Sequence, residues 1–246
     1  MDHCNDADDD IWKSDEGISQ WISTADERER TRVGHRRLMA DLLPFGYEDQ
    51  FTFLDLGAGT GAAARAVLDR YPKAQAILSD YSLQMISEAH RELSDYKDRY
   101  TYVELDLASG NWRSEIPFDL GAVISSLCVH HLPHERKGLL FREIFAHLEP
   151  GGWYLNYDPV IAQDPEVQAA WLRAMDRRDP AAAEKRANRS PEEQRRYESH
   201  IRHMMPLAPQ IELLGAAGFE AIDVFLKELD HVIYGGRRPM VGGPAV

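Results

Sequence analysis

The sequence predicts an α/β fold with a seven-stranded, mostly parallel, doubly wound sheet. Three observations lead to this prediction. Short apolar runs of strand length alternate with segments of helical periodicity, a glycine-rich turn follows the first apolar run, and two strand-like segments joined by a turn lie near the end of the chain. We therefore expect amino-terminal helices, a parallel sheet with helices on both faces, a helical lid and a closing antiparallel hairpin.

The amino-terminal segment is strongly acidic. Residues 1–30 carry ten Asp or Glu against three Lys or Arg, in a chain of net charge -13. An acidic chain lacks the basic surface that nucleic-acid binding normally needs, and a polar, acidic start is the opposite of a signal peptide. No apolar run reaches about 18 residues. We therefore expect a cytoplasmic protein with no membrane span, and the charge disfavours a nucleic-acid partner without excluding a local basic patch.

Helices are also predicted in the amino-terminal part of the chain. Residues 11–43 show a helical pattern that ends before Pro44, so two helices should precede the sheet. Cys4 and Cys128 are the only cysteines, too few for a disulfide framework or a cysteine-based zinc site.

The glycine-rich turn is the most informative stretch. Residues 51–56 form an apolar run, and an Ala-rich helical segment begins after residue 61. Between them stand Gly57, Gly59 and Gly61. Glycine is needed where the backbone takes positive φ or where a ligand lies against the main chain. A turn of this kind at the carboxyl end of a parallel strand predicts a nucleotide-like ligand.

The remaining elements follow in order. Strands are predicted over residues 74–79, 100–105, 119–127 and 153–157, and the hairpin over 219–226 and 231–234. Helices are predicted over residues 82–93, 134–148 and 209–217. Asp80 and Asp106 come directly after the second and third strands, where side chains gather at one edge of a parallel sheet.

Two classes of ligand fit the glycine turn. The spacing from Gly57 satisfies the dinucleotide pattern G-x-G-x-x-A weakly. The arrangement Asp55-x-Gly57-x-Gly59-x-Gly61 instead resembles the first motif of the class I, Rossmann-like, S-adenosylmethionine-dependent methyltransferases. The resemblance covers about residues 51–238. It also rests on the two acids after strands two and three, the Ser-Ser-Leu-Cys-Val-His-His-Leu loop after strand four, and the Leu-Glu-Pro-Gly-Gly turn before strand five.

The resemblance implies a set of cofactor-binding residues. An acid at the Asp55 position would help to hold the methionine ammonium group, Asp80 would accept hydrogen bonds from the ribose diol, and Asp106 would bind the adenine amino group. The full set is Arg32, Asp55, Gly57, Ala58, Gly59, Gly61, Asp80, Tyr81, Met85, Asp106, Leu107, Ser125 and Ser126. Other interpretations stay open: Arg32 on a solvated helix face, Met85 in the core, and Asp106 as a cap of the following turn.

His130 and His131 are the candidate catalytic residues. The resembling loop lies beside the reactive methyl group, and a histidine with a pKa near neutrality suits proton removal from a substrate nucleophile. In an extended chain the two neighbours would point in opposite directions, one to the site and one to the protein. A purely structural role is the alternative. No supporting cluster has metal-ligand spacing around them, so no metal is expected.

Substrate selection is expected outside the sheet. Residues 160–206 read as a helical insertion after strand five, at the cofactor end of the sheet, which suits a lid. Trp171 and His203 in this insertion and Trp21 in the amino-terminal helices are the candidate substrate-binding residues. Trp21 could equally seal its helix onto the core.

These observations predict one domain: a helical cap over 1–45, a cofactor-binding core over 51–159, the lid over 160–206, and the last helix and hairpin over 207–238. The predicted function is methyl transfer from S-adenosylmethionine to an oxygen, nitrogen or carbon nucleophile of a small molecule, as in secondary metabolism. The alternatives are a methyltransferase acting on tRNA or protein, a non-catalytic S-adenosylmethionine-binding protein, and an NAD(P)-dependent oxidoreductase. Oligomeric state is left open, a homodimer included.

Overall fold

The structure, a computed structural model, describes residues 25–109 and 116–240, and the side chains from residue 32 onward. Within these ranges one seven-stranded sheet is combined with eight α-helices. The helices are α1 Ala25–Asp41, α2 Ala62–Arg70, α3 Leu83–Glu92, α4 His134–His147, α5 Pro165–Arg178, α6 Pro180–Ala187, α7 Pro191–Ile201 and α8 Leu207–Ala217. The strands are β1 Thr52–Leu56, β2 Gln75–Asp80, β3 Tyr100–Glu104, β4 Leu120–Ser126, β5 Leu148–Pro159, β6 Glu220–Glu228 and β7 His231–Arg237.

The strand order is β3-β2-β1-β4-β5-β7-β6. Neighbouring strands from β3 to β5 pair in parallel, and β7 is antiparallel to both β5 and β6. The order reverses between β1 and β4, which is where ligands bind in open α/β sheets, outside the carboxyl ends of the strands. The predicted fold class is confirmed.

The central parallel strands β1 and β4 are buried on both faces of the sheet, as a parallel sheet requires. Alternate residues of β1 face opposite sides: Leu54 and Leu56 belong to one apolar cluster, and Phe53 belongs to the other. The first cluster includes residues of α4 and α8, and the second includes residues of α1 and α2. The helices therefore cover the sheet on both sides and hold the ends of β1 and β4 in place.

The ends of two strands have specific backbone causes. Asp119 and Leu127, which flank β4, have φ of 63° and 60°, so the extended conformation stops at Leu120 and Ser126. β5 begins at Leu148, earlier than predicted, because residues 148–152 already follow β4 with a shifted register before regular pairing starts at Trp153. The predicted helix stop is thus also the start of a strand.

The amino-terminal part is only partly within the described residues. Two helices were predicted over 11–43, and the structure shows α1 at the second position. The first predicted helix and Trp21 lie outside the described ranges. Among the helices that the structure does describe, none has the length and apolar character to span a bilayer.

Residues 160–206 fold as three short helices, α5, α6 and α7, which we call the insertion helices. None of their residues is buried. A bridge between Ile161 and Pro206 brings the two ends of the insertion together. The insertion therefore rises from the end of β5, on the side of the sheet where the site is expected.

Candidate active site

The glycine turn has the backbone conformation that its residues predict. Gly57, Gly59 and Gly61 have φ of 62°, 54° and 80°, all in the left-handed region. A Cβ on Gly57 would lie 2.0 Å from Cys128 Sγ, and one on Gly61 would lie 2.6 Å from Leu93 Cδ1. A Cβ on Gly59 would meet nothing within 4 Å. Two glycines are therefore required by packing, and Gly59 presents its backbone to an open space that can receive a ligand.

Asp80 is fixed beside this open backbone. Its Oδ2 accepts the Gly59 N–H at 2.9 Å, and its Oδ1 accepts the Ser82 N–H at 3.0 Å. Burial raises the pKa of Asp80, and these backbone hydrogen bonds oppose the rise. The Gly59 carbonyl in turn accepts the Tyr102 hydroxyl at 2.9 Å. Tyr102 escaped the sequence analysis because only strand pairing brings β3 to the turn.

The residues predicted to contact the adenine lie in different environments. Met85 is buried in the first turn of α3, where its N–H is capped by Ser82 Oγ at 3.3 Å, and Tyr81 is half-buried. Asp106 is exposed and its Oδ1 accepts the Ala108 N–H at 2.9 Å, so it does cap the turn after β3. Leu107 is buried in the core. Capping leaves the outer lone pairs of Asp106 available, so both roles are compatible.

Asp55 is completely buried at the end of β1. Its Oδ2 accepts the Ala64 N–H at 2.9 Å, and its Oδ1 has no hydrogen-bond partner among the described residues. Burial raises the pKa of Asp55 to about 7, while the Ala64 N–H and then the charge of Arg36 act in the opposite direction. Asp55 therefore ties the strand to the first turn of α2. Ala58 is tied as well, through its N–H to Ser79 O at 2.9 Å.

Two arginines of α1 approach the site. Arg32, predicted as a candidate, is half-buried, and burial lowers its pKa. Arg36 is more deeply buried, and its Nε donates to Ser126 Oγ at 3.2 Å. Ser125, the other predicted serine, is buried and donates to Leu56 O at 3.0 Å. Arg36 was missed, although its position four residues after Arg32 placed it on the same helix face.

The two adjacent histidines do not point in opposite directions. Residues Val129–His131 form a turn of 3-10 helix, and the ring centroids of His130 and His131 lie 3.9 Å apart. The prediction from extended geometry was wrong because the chain leaves β4 after Ser126 with Leu127 at positive φ. Cys128, whose Sγ packs on Gly57, places this histidine turn directly beside the glycine turn.

His130 is paired with a buried acid. Its Nδ1 lies 2.7 Å from Asp158 Oδ1, and both side chains are at least 95% buried. Burial raises the pKa of Asp158 to about 7 and lowers the pKa of both His130 and His131 below the ordinary value. Both imidazoles are therefore neutral at pH 7 and can accept a proton. Asp158 was not singled out because its partner lies in another element.

The insertion adds a third imidazole to the pair. His200 of α7 has its ring centroid 5.1 Å from that of His130 and 5.1 Å from that of His131. One nitrogen from each of the three rings lies within 4.8 Å of the others, a spacing at which a metal ion could be held. Sequence spacing gave no sign of this cluster, since only the folded insertion brings His200 to the turn.

Lys137 links the histidine turn to the insertion. The side chain is fully buried, and its Nζ donates to the carbonyls of Leu132, at 2.9 Å, and of His203. Burial lowers the pKa of Lys137 to about 8. The His203 backbone is thus bound next to the turn. Trp171 instead packs against the core, with Lys227 Nζ 4.0 Å from its ring centroid.

Comparison with known proteins agrees with this arrangement. Residues 53–152 match the family described as "Methyltransferase domain". A trans-aconitate 2-methyltransferase of Azoarcus sp. (strain BH72) is 29% identical over 133 residues, which are 54% of this chain and 46% of that protein. The aligned part therefore spans less than half of the relative's length.

Solved structures share the fold at low identity. An O-methyltransferase family protein from Burkholderia thailandensis is 16% identical, with a TM-score of 0.63 over 94% of this chain and 67% of its own. Human N-acetylserotonin methyltransferase in complex with SAM is 17% identical, with a TM-score of 0.61 over 94% and 58%. The chain is thus similar to S-adenosylmethionine-dependent methyltransferases in two respects, the family match over residues 53–152 and the shared fold.

Proposed function

We propose that the chain transfers a methyl group from S-adenosylmethionine to an oxygen, nitrogen or carbon nucleophile of a small molecule. One observation carries the proposal. Gly59 has a left-handed backbone that borders open space where the strand order reverses, and its N–H donates a hydrogen bond to the carboxylate of Asp80. An open glycine beside an acid at the end of the next strand suits a nucleoside with a free ribose diol. The name of the Azoarcus relative supports a small-molecule acceptor.

The residues around the glycine turn fit this cofactor. Asp80 has two carboxylate oxygens and, beyond the hydrogen bonds it accepts from backbone N–H groups such as those of Gly59 and Ser82, further lone pairs for a diol. Arg32 and Arg36 supply positive charge for the methionine carboxylate, and Asp55 places an acid behind the turn. Asp106 and the Leu107 backbone would bind the adenine, with Tyr81 and Met85 beside it.

Methyl transfer requires alignment of the methyl donor with the acceptor, and a group that takes up the acceptor's proton. S-adenosylmethionine supplies an electrophilic methyl group on a sulfonium. Orientation of the reacting groups can contribute about 7–11 kcal/mol, and a general base about 10²–10⁴-fold. His131, half-buried beside the deeply buried His130, is positioned to receive the proton of the acceptor. We expect His131→Ala to slow turnover within that range and to leave cofactor affinity intact; an unchanged rate would refute the role of His131 as base.

The acceptor would lie between the histidine turn and the insertion helices. The insertion is attached to the turn through Lys137 and His203 O, so its position is coupled to the proposed base. We assign acceptor contacts to the insertion, with Trp171 and His203 as candidates, and retain Trp21 as a candidate outside the described residues. The identity of these contacts follows from an acceptor screen with variants of each residue.

The first test is thermal unfolding with S-adenosylhomocysteine and, separately, with a reduced nicotinamide dinucleotide. A ligand at about 100 times its dissociation constant stabilises the native state by about 2.7 kcal/mol. We expect stabilisation by the homocysteine compound alone. Asp80→Asn should remove it, and Asp98→Asn, which changes an exposed acid just before the amino end of β3, should retain it. Stabilisation by the dinucleotide alone would refute the proposed cofactor.

A second assay tests the acceptor class. Radiolabelled methyl transfer is measured with a panel of small carboxylic acids and phenols, with total tRNA and with a protein extract. We expect label in small molecules. Labelling confined to tRNA or protein would refute the small-molecule acceptor, and cofactor binding with no labelling in any pool would indicate a binding protein.

A further inference from the structure

We propose that His130, His131 and His200 form a binding site for a divalent transition-metal ion, with Zn²⁺ as the ion we name. One nitrogen from each ring lies within 4.8 Å of the others. Neutral imidazole is a preferred ligand of Zn²⁺, and three histidines with one open position form a known catalytic zinc arrangement. The site joins the turn after β4 to α7, two elements that no short sequence motif connects.

The geometry needs only a small adjustment. Zinc–nitrogen bonds of about 2.0–2.1 Å in a tetrahedron separate ligand nitrogens by about 3.4 Å. The present limit of 4.8 Å therefore requires the nitrogens to approach by at most about 1.4 Å. Rotation of an imidazole about χ2 supplies movements of this size, because that torsion is broad. The 3-10 turn already places His130 and His131 side by side, with ring centroids 3.9 Å apart.

Asp158 orients one of the three proposed ligands through a hydrogen bond to His130. Metal-binding histidines usually donate their second ring N–H to a carboxylate, which fixes the ring and makes the ligand more basic. His130 Nδ1 lies 2.7 Å from Asp158 Oδ1, so Nε2 is the nitrogen that carries the lone pair toward His131 and His200. In its ionised form Asp158 would also bring one negative charge to the site. This charge offsets that of Lys137, whose Nζ is bound by backbone carbonyls.

The open position gives the ion a role in the reaction, and this step rests on the proposed function. His131 and His200 are only half-buried, so the fourth position faces the accessible side of the cluster. An acceptor hydroxyl or carboxylate coordinated there would be held in place, and coordination would lower the pKa of a hydroxyl. A coordinated imidazole has no lone pair for a proton, so in the metal-bound form His131 would be a ligand and the proton of the acidified hydroxyl would pass to solvent on the accessible side of the cluster. Oxygen acceptors are therefore favoured over carbon acceptors.

The test is metal binding by the whole chain, without acceptor. Protein stripped with a chelator is titrated with Zn²⁺ alone, and bound metal is counted after dialysis. Co²⁺ is used as a spectroscopic probe, because its visible absorption reports four- or five-fold coordination by nitrogen. We expect one ion per chain, at least about 100-fold weaker binding in His200→Ala, and about 10–100-fold weaker binding in Asp158→Asn.

Two further variants separate ligation from packing. His200→Cys supplies another zinc ligand and should restore binding with an altered Co²⁺ spectrum, which a purely structural role would not produce. His90→Ala, an exposed histidine on α3, should bind as the wild type does. Absence of stoichiometric Zn²⁺, or equal affinity in His200→Ala, would overturn the site.

The same samples are tested with S-adenosylhomocysteine. Stabilisation by that compound without metal binding refutes the metal site alone and leaves the proposed function standing. Metal binding without stabilisation refutes the cofactor and leaves the metal site standing. The two proposals can therefore fail independently.

Discussion

Gly57 and Gly59 share a left-handed backbone but differ in their surroundings. A methyl group on Gly57 would overlap Cys128 Sγ, at 2.0 Å, whereas one on Gly59 would have no neighbour within 4 Å. The two positions thus separate two demands on the turn. One is the packing of the histidine turn against β1, and the other is space for a ligand.

Substitution by alanine should reveal this difference. We expect Gly57→Ala to lower the free energy of unfolding by about 3 kcal/mol, from backbone strain and overpacking together. Gly59→Ala carries only the strain, about 1–2 kcal/mol, but should lose binding of S-adenosylhomocysteine. Urea unfolding and calorimetric titration of both variants measure the two effects. Equal destabilisation by the two variants would contradict the contact between Gly57 and Cys128.

Several residues of the site could be predicted because each follows a strand within a short motif. The glycines follow β1 and Asp80 ends β2, and neighbouring parallel strands end at the same edge of the sheet. Tyr102, Lys137 and Asp158 could not be predicted, because each has a partner in another element that is reached only through tertiary packing. For Arg36 the sequence offered only its position on the helix face of Arg32. A buried polar residue can be identified from a sequence only when its hydrogen-bond partner is close to it along the chain or at the end of a neighbouring predicted strand.

At the scale of elements, the insertion helices are defined more by their starts than by their packing. Each begins with Pro at the first helical position after a capping residue, which is Asp164, Asp179 or Ser190. Ser190 and Glu193 form a complete capping box. With no buried residue in these helices, caps and tertiary ties contribute a large share of their stability. Their boundaries were predictable from the repeated acid- or serine-proline pairs, although the sequence analysis treated residues 160–206 as one segment.

Loss of a cap should therefore act locally. We expect Ser190→Ala to destabilise α7 by about 1 kcal/mol and to increase hydrogen exchange of its amides several-fold, with little change in the unfolding of the sheet. Ser199→Ala, in the last turn of the same helix, removes no amino-terminal cap and is the control. If the exchange of α7 amides rose only together with that of β1 and β4, the insertion would not be a separate cooperative unit.

At the scale of the molecule, buried carboxyl groups and buried histidines have opposite effects on how stability changes with pH. Burial raises the pKa of Asp55 and Asp158 and lowers that of His130 and His131. A native carboxyl that binds its proton more tightly than in the unfolded chain loses stability as pH rises toward its native pKa. A native histidine that binds its proton less tightly loses stability as pH falls below about 6.5. The pH dependence of the free energy of unfolding is the sum of these effects, so the contribution of one group is best measured by substituting that group.

Asp55 is the group to isolate. Its pKa of about 7 lies above the unfolded value of about 3.9, so its contribution to the free energy of unfolding falls from about pH 4 to about pH 7 and changes little above that. Between pH 5 and pH 7 the expected fall is about 2–3 kcal/mol by linkage. Asp55→Asn keeps an acceptor for the Ala64 N–H and has no such titration. The difference between the two proteins, from urea unfolding at several pH values, should therefore grow in favour of the variant. A constant difference would mean that Asp55 keeps an ordinary pKa.

The sheet was predictable as a whole because its signals are local and repeated. Each strand is an apolar run, each helix has its own period, and the order of elements then admits few connections. The position of the insertion relative to the histidine turn was not predictable, since it depends on Lys137 and on the ends of the insertion meeting at Ile161 and Pro206.

The contact between Gly57 and Cys128 also constrains the order in which the protein can become competent during synthesis. The glycine turn is made early, but β1 acquires its neighbour β4, and with it Cys128, only after the chain has crossed from β3 at the edge back to the middle of the sheet. A nascent chain that ends before β4 thus carries all three glycines of the turn and Asp80, and still lacks Cys128, which packs against Gly57. Cofactor binding would therefore begin when β4 pairs with β1. A series of ribosome-bound chains of increasing length should gain cofactor binding in one step.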